Sequence, residues 1–429
     1  MKFNYALLLL TLSFGPVFAD DLPLQDLKSP HGIEFSFLQS EVQSTVAVSV
    51  AFKYGIGSDP QVKPVSAFAA CAMLMKGAGG KSSSELYESF QDYGGSFNVS
   101  PTEDTVNLEI SAPLKGILNT AKLANFVLLK PDFPEKKLTF YREDFAKKIE
   151  EFSVYPEFKT QELFSNIAIK KHPYSNANMP KAADIRNIQV PDLKPWTDQH
   201  FHKDGIVVSV VGDITQTEAG AIVDGLLDGI APTTPLLPSP PVVLEAHGAE
   251  PYVVAAETGD QAILIMGTVW TEPMDLKSNL AMDILTRIFG DGQKARVFKD
   301  VREATGATYG LQYSWNIYDQ GAVNTVSGRI AKAASEKTIA IVKSSWDRFR
   351  AEGPSPEEIA DGKASLAQNF ADMVRNHTWV ANFVRDQLTG GHTIAEVAHI
   401  PSLAEKLDVT DPSYRTQFFA ENPIIVITK

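Results

Sequence analysis

The chain repeats itself. "STVAVSVAFKYGIGSD" (44–59) and "DQAILIMGTVWTEPMD" (260–275) each run from an apolar strand into a turn ending in Asp. An apolar helix follows each copy and stops at glycine, Gly77 and Gly290, 213 residues apart. Strand pairs come next, "YGGSFNVSPTEDTVNLEI" and "TGATYGLQYSWNIYDQGAVNTVSG", opened by Gly95 and Gly306 at an offset of 211. Each half closes on a short apolar strand, "IVVSVVGDI" and "IIVITK", with Val207 lying 217 residues before Ile424. Four correspondences near one offset restrict the fold to two copies of one unit. Between them lies "APTTPLLPSPP" (231–241), whose five prolines cannot donate a regular ladder and make a semi-rigid linker. The expected plan is a domain over 20–230, a Pro-rich linker over 231–245 and a homologous domain over 246–429. Each unit mixes helices with strands that pair sequentially. The expected class is therefore α+β, two homologous domains, each a mostly antiparallel sheet packed with helices.

The strongest helical segments are 116–130, 135–152, 335–352 and 356–375. "SPEE" at 355–358 sets Ser at the N-cap, Pro at the first helical position and acids in the first turn. The first 19 residues read as a secretory signal: Lys2, a short apolar run, and "VFA" before Asp20 as a cleavage site after Ala19. The apolar run is too short for a spanning helix, and no other stretch approaches one, so a periplasmic or secreted protein with no integral membrane segment in the mature chain is expected. A single cysteine, Cys71, excludes an internal disulfide. The formal charge of −13 argues against nucleic acid as a partner.

"AFAACAMLMKGAGG" (67–80) holds that cysteine and contains no His, Asp or Glu. On its own terms it is a core helix running into a glycine stop. Its own end, "MLMKGAGG", and three other stretches give it context: "FQDYGGSFNVSPTEDTV"; "HPYSNANMPKAADIRNIQVPDLKPWTDQHFHKDGIVVSVVGDI" (172–214); and "ARVFKDVREATGATYG" (295–310). In order and spacing they resemble the pitrilysin-like zinc peptidases, the inverzincins, which include the mitochondrial processing peptidases. The resemblance covers essentially the whole mature chain. Active members carry H-x-x-E-H just before the counterpart of "MLMKG", two zinc-binding histidines and a glutamate that activates water. Aligned there, this chain has Phe68, Cys71 and Ala72. The family's third ligand, a Glu about 76 residues further on, falls on Lys148. Phe and Ala offer no donor and an ammonium repels the ion, so no metal is expected at this site and no cofactor on this chain. Cys71 lacks a neighbouring basic group in sequence and reads as structural.

The resemblance also implies a second element, an Arg and a Tyr seven residues apart in the C-terminal domain that bind the peptide backbone and the oxyanion. Arg302 and Tyr309 stand at that spacing in "VREATGATYG", at a helix end and on the following strand with a turn at Gly306 between them. A guanidinium and a phenol both suit a developing anionic oxygen. The neighbouring Arg296 matches a structural arginine of the family. "HFH" places His200 and His202 on one face of a strand, and His392 and His399, seven apart, could share a helix face. Neither pair has a carboxylate at ligand spacing, so neither is expected to bind metal.

Together these features imply the zinc-free, substrate-binding subunit of an exported heterodimeric metalloendopeptidase. Its partners would be a paralogous zinc-bearing subunit and a peptide substrate. On this view the chain takes part in peptide hydrolysis only with that partner, and "SFNVS" (96–100) is the sheet edge along which an extended peptide would add. The alternative, from another class, is a non-enzymatic peptide-binding or scaffold protein of the same descent.

Overall fold

The strand Thr45–Lys53 shows why two units pack as they do. Along it Val46, Val48, Val50 and Phe52 alternate with Ala47, Ser49 and Ala51, and every position from Val46 to Phe52 is buried. A half-exposed strand would alternate apolar and polar. Here one face is large and the other small, so the first packs into a core while the second admits a helix at close range.

The computed structural model describes residues 21–59, 63, 65–170, 172–178, 180–244, 247–292, 294–305 and 310–428. Thirteen strands occur among them: β1 (Gln25–Lys28), β2 (Glu34–Gln39), β3 (Thr45–Lys53), β4 (Gly77–Ala78), β5 (Lys81–Ser82), β6 (Ser96–Pro101), β7 (Thr105–Pro113), β8 (Val207–Gly212), β9 (Tyr252–Val254), β10 (Gln261–Trp270), β11 (Leu311–Tyr318), β12 (Gly321–Ala331) and β13 (Ile424–Thr428). The first sheet runs β1-β2-β8-β3-β7-β6 and the second, read backwards, β9-β13-β10-β12-β11. Apart from β1 the order is the same. In each sheet one parallel contact, β2 with β8 and β9 with β13, stands among antiparallel ones. The α+β expectation holds. So do the long helices, observed at Leu114–Leu129, Glu135–Ser153, Ser335–Glu352 and Pro356–Met373. At the last of these, Ser355 Oγ accepts from Glu358 N at 3.2 Å and Glu358 returns an oxygen to Ser355 N at 2.7 Å, a closed capping box.

The halves exchange helices. The helix His377–Thr389 comes from the second half but lies on β3 and β8 of the first sheet, over the small face of β3. Ser49 Oγ donates to Asn382 Oδ1 at 2.7 Å, and the buried Arg385 reaches Ser49, Glu109 and Asp386. Reciprocally, the helix Pro156–Ala168 of the first half covers β10 and β13. Gly267 permits that approach, since a Cβ there would stand 2.1 Å from Asn324 O and 3.0 Å from the Phe164 ring. The first described residues are tied across as well: Leu22 is buried in the second core, Leu22 N donates to Ala398 O, and Asp21 binds His399 and Ser402. The linker thus parts two sheets whose outer faces are each sealed by the other half.

Candidate functional site

The helix Ser66–Leu74 has Val65 at its N-cap, which offers no side-chain acceptor. Asp59 supplies one from outside, accepting from Ala67 N at 3.0 Å and from Trp196 Nε1 at 2.6 Å. Burial pushes its carboxyl up to about 7 against these hydrogen bonds. This anchors the helix that in active relatives would carry the metal motif.

What faces that helix is apolar. The rings of Phe68 and Phe145 meet edge-on at 6.3 Å, and Phe145 meets Tyr141 at 5.5 Å. Burial, with a smaller push from Cys71, raises the Tyr141 hydroxyl. Burial first and the Asp59 charge second raise the Cys71 thiol, so it is held protonated and unreactive. Lys148, at the third ligand position, turns to solvent and pairs with Asp144 at 2.7 Å. Glu150, two residues on, is held by Arg186 through contacts of 2.5 and 2.9 Å. A zinc ion needs several converging N, O or S donors, and this aromatic plug does not fit one. Among the described residues no three His, Cys, Asp or Glu side chains are grouped to hold a metal ion. The sequence pointed to the loss of donors; it did not point to Tyr141 and Phe145 as the groups that fill the space. Their i, i+4 spacing one turn before Lys148 was the available signal.

Beside this helix lies β6, the terminal strand of its sheet. Phe97 and Val99 pack inward while Ser96 and Asn98 are exposed, so "SFNVS" forms a polar open edge.

In the second half, Arg302 sits in the last turn of the helix Arg296–Thr305, where a cation suits the helix dipole. It is exposed and makes no hydrogen bond or ion pair among the described residues. Tyr309 and the Gly306 turn lie outside the described residues. Arg296 is structural: it holds Glu358 at 2.5 and 2.9 Å, donates to Gly353 O and lies over the Phe349 ring.

The histidines are placed differently from the sequence expectation. His200 ends the helix Val190–His200, bonded through Nδ1 to Trp196 O and stacked on Trp196, while His202 lies outside it in an isolated bridge to Ala231. They are not on one strand face, because the helix takes in His200 and leaves His202 beyond its end. His392 precedes the short helix Ile394–Ala398 and His399 caps its end, so they share no helix face.

Residues 187–366 match the family model described as the peptidase M16 inactive domain. A Rickettsia bellii protein named an uncharacterized zinc protease is 22% identical over 300 residues, which is 70% of this chain and 71% of that one. A Bacillus subtilis protein of similar name, YmxG, is 21% identical over 332 residues, 75% and 77% of the two chains. In fold the chain is similar to a peptidase M16 inactive domain from Pseudomonas fluorescens (TM-score 0.85, 19% identity, 95% of this chain and 98% of that one). It is also similar to the Escherichia coli periplasmic protease PqqL (TM-score 0.80, 15% identity, 97% of this chain and 46% of that one). The resemblance read from the sequence, to pitrilysin-like peptidases lacking the zinc motif, is borne out. By these comparisons the chain is peptidase-like, and the model matched by residues 187–366 is described as an inactive domain. No helix among the described residues is long and apolar enough to cross a membrane.

Proposed function

We propose that this pitrilysin-like chain is the substrate-binding subunit of an exported heterodimeric zinc endopeptidase, supplying Arg302 and Tyr309 to a zinc site carried by a partner subunit. The observation that carries the reading is a contrast within one molecule. The metal position is packed shut with Phe68, Tyr141 and Phe145, whereas Arg302 is left exposed and unengaged. A guanidinium held at a helix end costs desolvation of nothing, and it remains free to donate to a peptide carbonyl. As that oxygen gains charge during attack by the partner's water, Arg302 and the Tyr309 hydroxyl would stabilise it more than the ground state, which is what lowers a barrier. PqqL supports a two-unit enclosure: this chain covers 46% of it, leaving room there for a second unit of like size. The open edge β6 is available to extended peptide, and localisation to the periplasm follows from the signal-like leader read in the sequence.

The test is steady-state cleavage of a quenched fluorescent peptide by the chain co-expressed with a zinc-bearing paralogue, with assembly checked by gel filtration. Arg302→Ala and Tyr309→Phe should each lower kcat/KM by roughly 10²–10³, about 2.7–4 kcal/mol. Arg302→Lys should rescue poorly, because a point charge does not reproduce the planar fork. If both variants assemble and stay within about twofold of the parent, where the loss expected of a missing oxyanion donor is far larger, the role is wrong and the scaffold alternative stands.

A further inference from the structure

Past the end of the helix His377–Thr389, a cleft of about 760 Å³ opens between the halves, and the tips of the hairpins β6–β7 and β11–β12 meet along it. The Asp319 backbone N–H donates to Asp104 Oδ2 at 2.9 Å, and the Tyr174 hydroxyl donates to Asp104 Oδ1 at 2.5 Å. Tyr174 is fully buried and stacks on Tyr318 at 4.7 Å. These contacts tie the tips together and fix one wall of the cleft. Its charge is one-sided. Glu103, Asp104, Asp319 and Asp386 line it against a single lysine, Lys53, whose stem lies across Gly205, where a Cβ would stand 2.5 Å from Lys53 Cε. Asp104 is satisfied by its two donors and Asp386 by Arg385. Glu103 and Asp319 are in no ion pair among the described residues. Asn107 of β7 is a separate sign of a missing ligand. It is only 8% exposed and lines the same cleft. Its Oδ1 accepts from Thr105 Oγ1 at 2.9 Å, while its amide nitrogen has no partner among the described residues. A donor buried to this extent is costly to leave without an acceptor. The partly buried Trp315 adds an indole to the lining.

We infer that this cleft binds an extended polypeptide through a lysine or arginine side chain, whose cation pairs with Glu103 and Asp319 while a neighbouring backbone carbonyl accepts from Asn107. Two unpaired carboxylates call for a cation, and the free amide N–H calls for an acceptor. A basic residue within a polypeptide brings both, whereas a free polyamine brings only the first. Trp315 suits the same cation. Because the wall is tied by the Tyr174–Tyr318 stack, the carboxylates are held in place before binding and little ordering is left for the ligand to drive. The open edge β6 ends at Pro101, and the next residue, Thr102, already lines the cleft, so a segment added to that edge is delivered to it. The site needs neither a partner subunit nor Arg302, so it stands or falls apart from the reading above.

The test is titration calorimetry of the isolated full chain at pH 7.5, where Asp319 is charged although burial first and the Asp104 charge second push its carboxyl up to about 6. The probes are an alanine-based pentapeptide with one central arginine, blocked at both ends, the same peptide with a central glutamate, and spermidine. The arginine peptide should bind, more weakly as salt rises, and the glutamate peptide and spermidine should each bind at least roughly tenfold more weakly, as expected when a charge-assisted bond or its companion carbonyl is missing. Glu103→Gln combined with Asp319→Asn, both near-isosteric, should weaken the arginine peptide by roughly tenfold or more, and Asn107→Ala by roughly threefold to tenfold. Glu88→Gln, an exposed carboxylate on the helix Ser83–Asp92, should leave it unchanged. Absence of binding, equal binding of the arginine and glutamate peptides, or full binding by the double variant overturns the proposal. So does an equal loss in Glu88→Gln, which would reduce the effect to net charge, or spermidine binding as tightly as the peptide, which would make the ligand a free cation.

Discussion

The helix Ser66–Leu74 and the helix Arg296–Thr305 stand where the family resemblance would set its two functional elements, and their surroundings are opposite. The first is sealed: seven of its nine residues are buried, its N-terminus is capped by a buried Asp59, and aromatic rings cover it. The second is open, its final turn presenting Arg302, Glu303 and Ala304 to solvent, with Lys337 Nζ donating to Ala304 O. The difference teaches that loss of a metal site need not leave a hole. Once His and Glu are gone nothing repays their desolvation, and apolar groups of similar bulk turn the pocket into ordinary core.

That contrast predicts that substitutions in the first helix register in stability and those in the second do not. The largest effect belongs to Asp59→Ala. It leaves Ala67 N and Trp196 Nε1 buried without an acceptor, at about 1–3 kcal/mol each, and thermal or urea unfolding should show a loss of roughly 2–5 kcal/mol. A loss under about 1 kcal/mol would mean that water reaches those donors and the helix is not sealed. Phe68→Ala comes next. Phe68 is only partly buried, so about half of the roughly 3–5 kcal/mol seen for fully buried Phe is expected. If it were instead neutral, Phe68 would be an open surface residue and the plug would have to be assigned to Phe145 alone.

A smaller effect is carried by pH. The Asp59 carboxyl, raised to about 7 in the folded chain, binds its proton more tightly there than in the unfolded chain. Its contribution is therefore complete at acid pH and declines as pH rises from about 4 through 7. Asp59→Asn should flatten the stability profile across that window, compared by urea midpoints at pH 5 and pH 7.5; an unchanged slope would show that the hydrogen bonds, not desolvation, rule this group. Least of all, Arg302→Ala should shift stability by no more than about 0.5 kcal/mol, as for any exposed side chain without partners. A larger loss would place Arg302 in the fold and blunt the contrast from the other side.

Much of this was legible in sequence, and the reason is local. The apolar strand segments and the "SPEE" cap are statements about neighbours along the chain, and each appears where residues a few positions apart dictate it, while the repeat was legible because the same local pattern occurs twice. The absence of ligands at Phe68, Ala72 and Lys148 was equally legible, because side-chain chemistry does not depend on the fold. The reading of His200 and His202 as a strand pair failed where a helix could extend by packing Trp196 and His200 together.

What only the tertiary structure decided lies between residues far apart. Nothing local in Pro156–Ala168 or His377–Thr389 says that each serves the other half's sheet; both are amphipathic, and which face of which sheet they cover is settled by the small side chains of β3 and by Gly267 of β10. Nor does the spacing of Asp104 and Asp319 reveal that they meet, since two hairpin tips converge only after both sheets have formed and docked. The sequence by itself determined two units of one α+β plan and the lack of zinc donors at Phe68, Ala72 and Lys148. The exchange of helices, the aromatic seal and the meeting of the two hairpin tips were decided by long-range packing, because burial and contact between distant residues are properties of the assembled chain and not of any stretch of it.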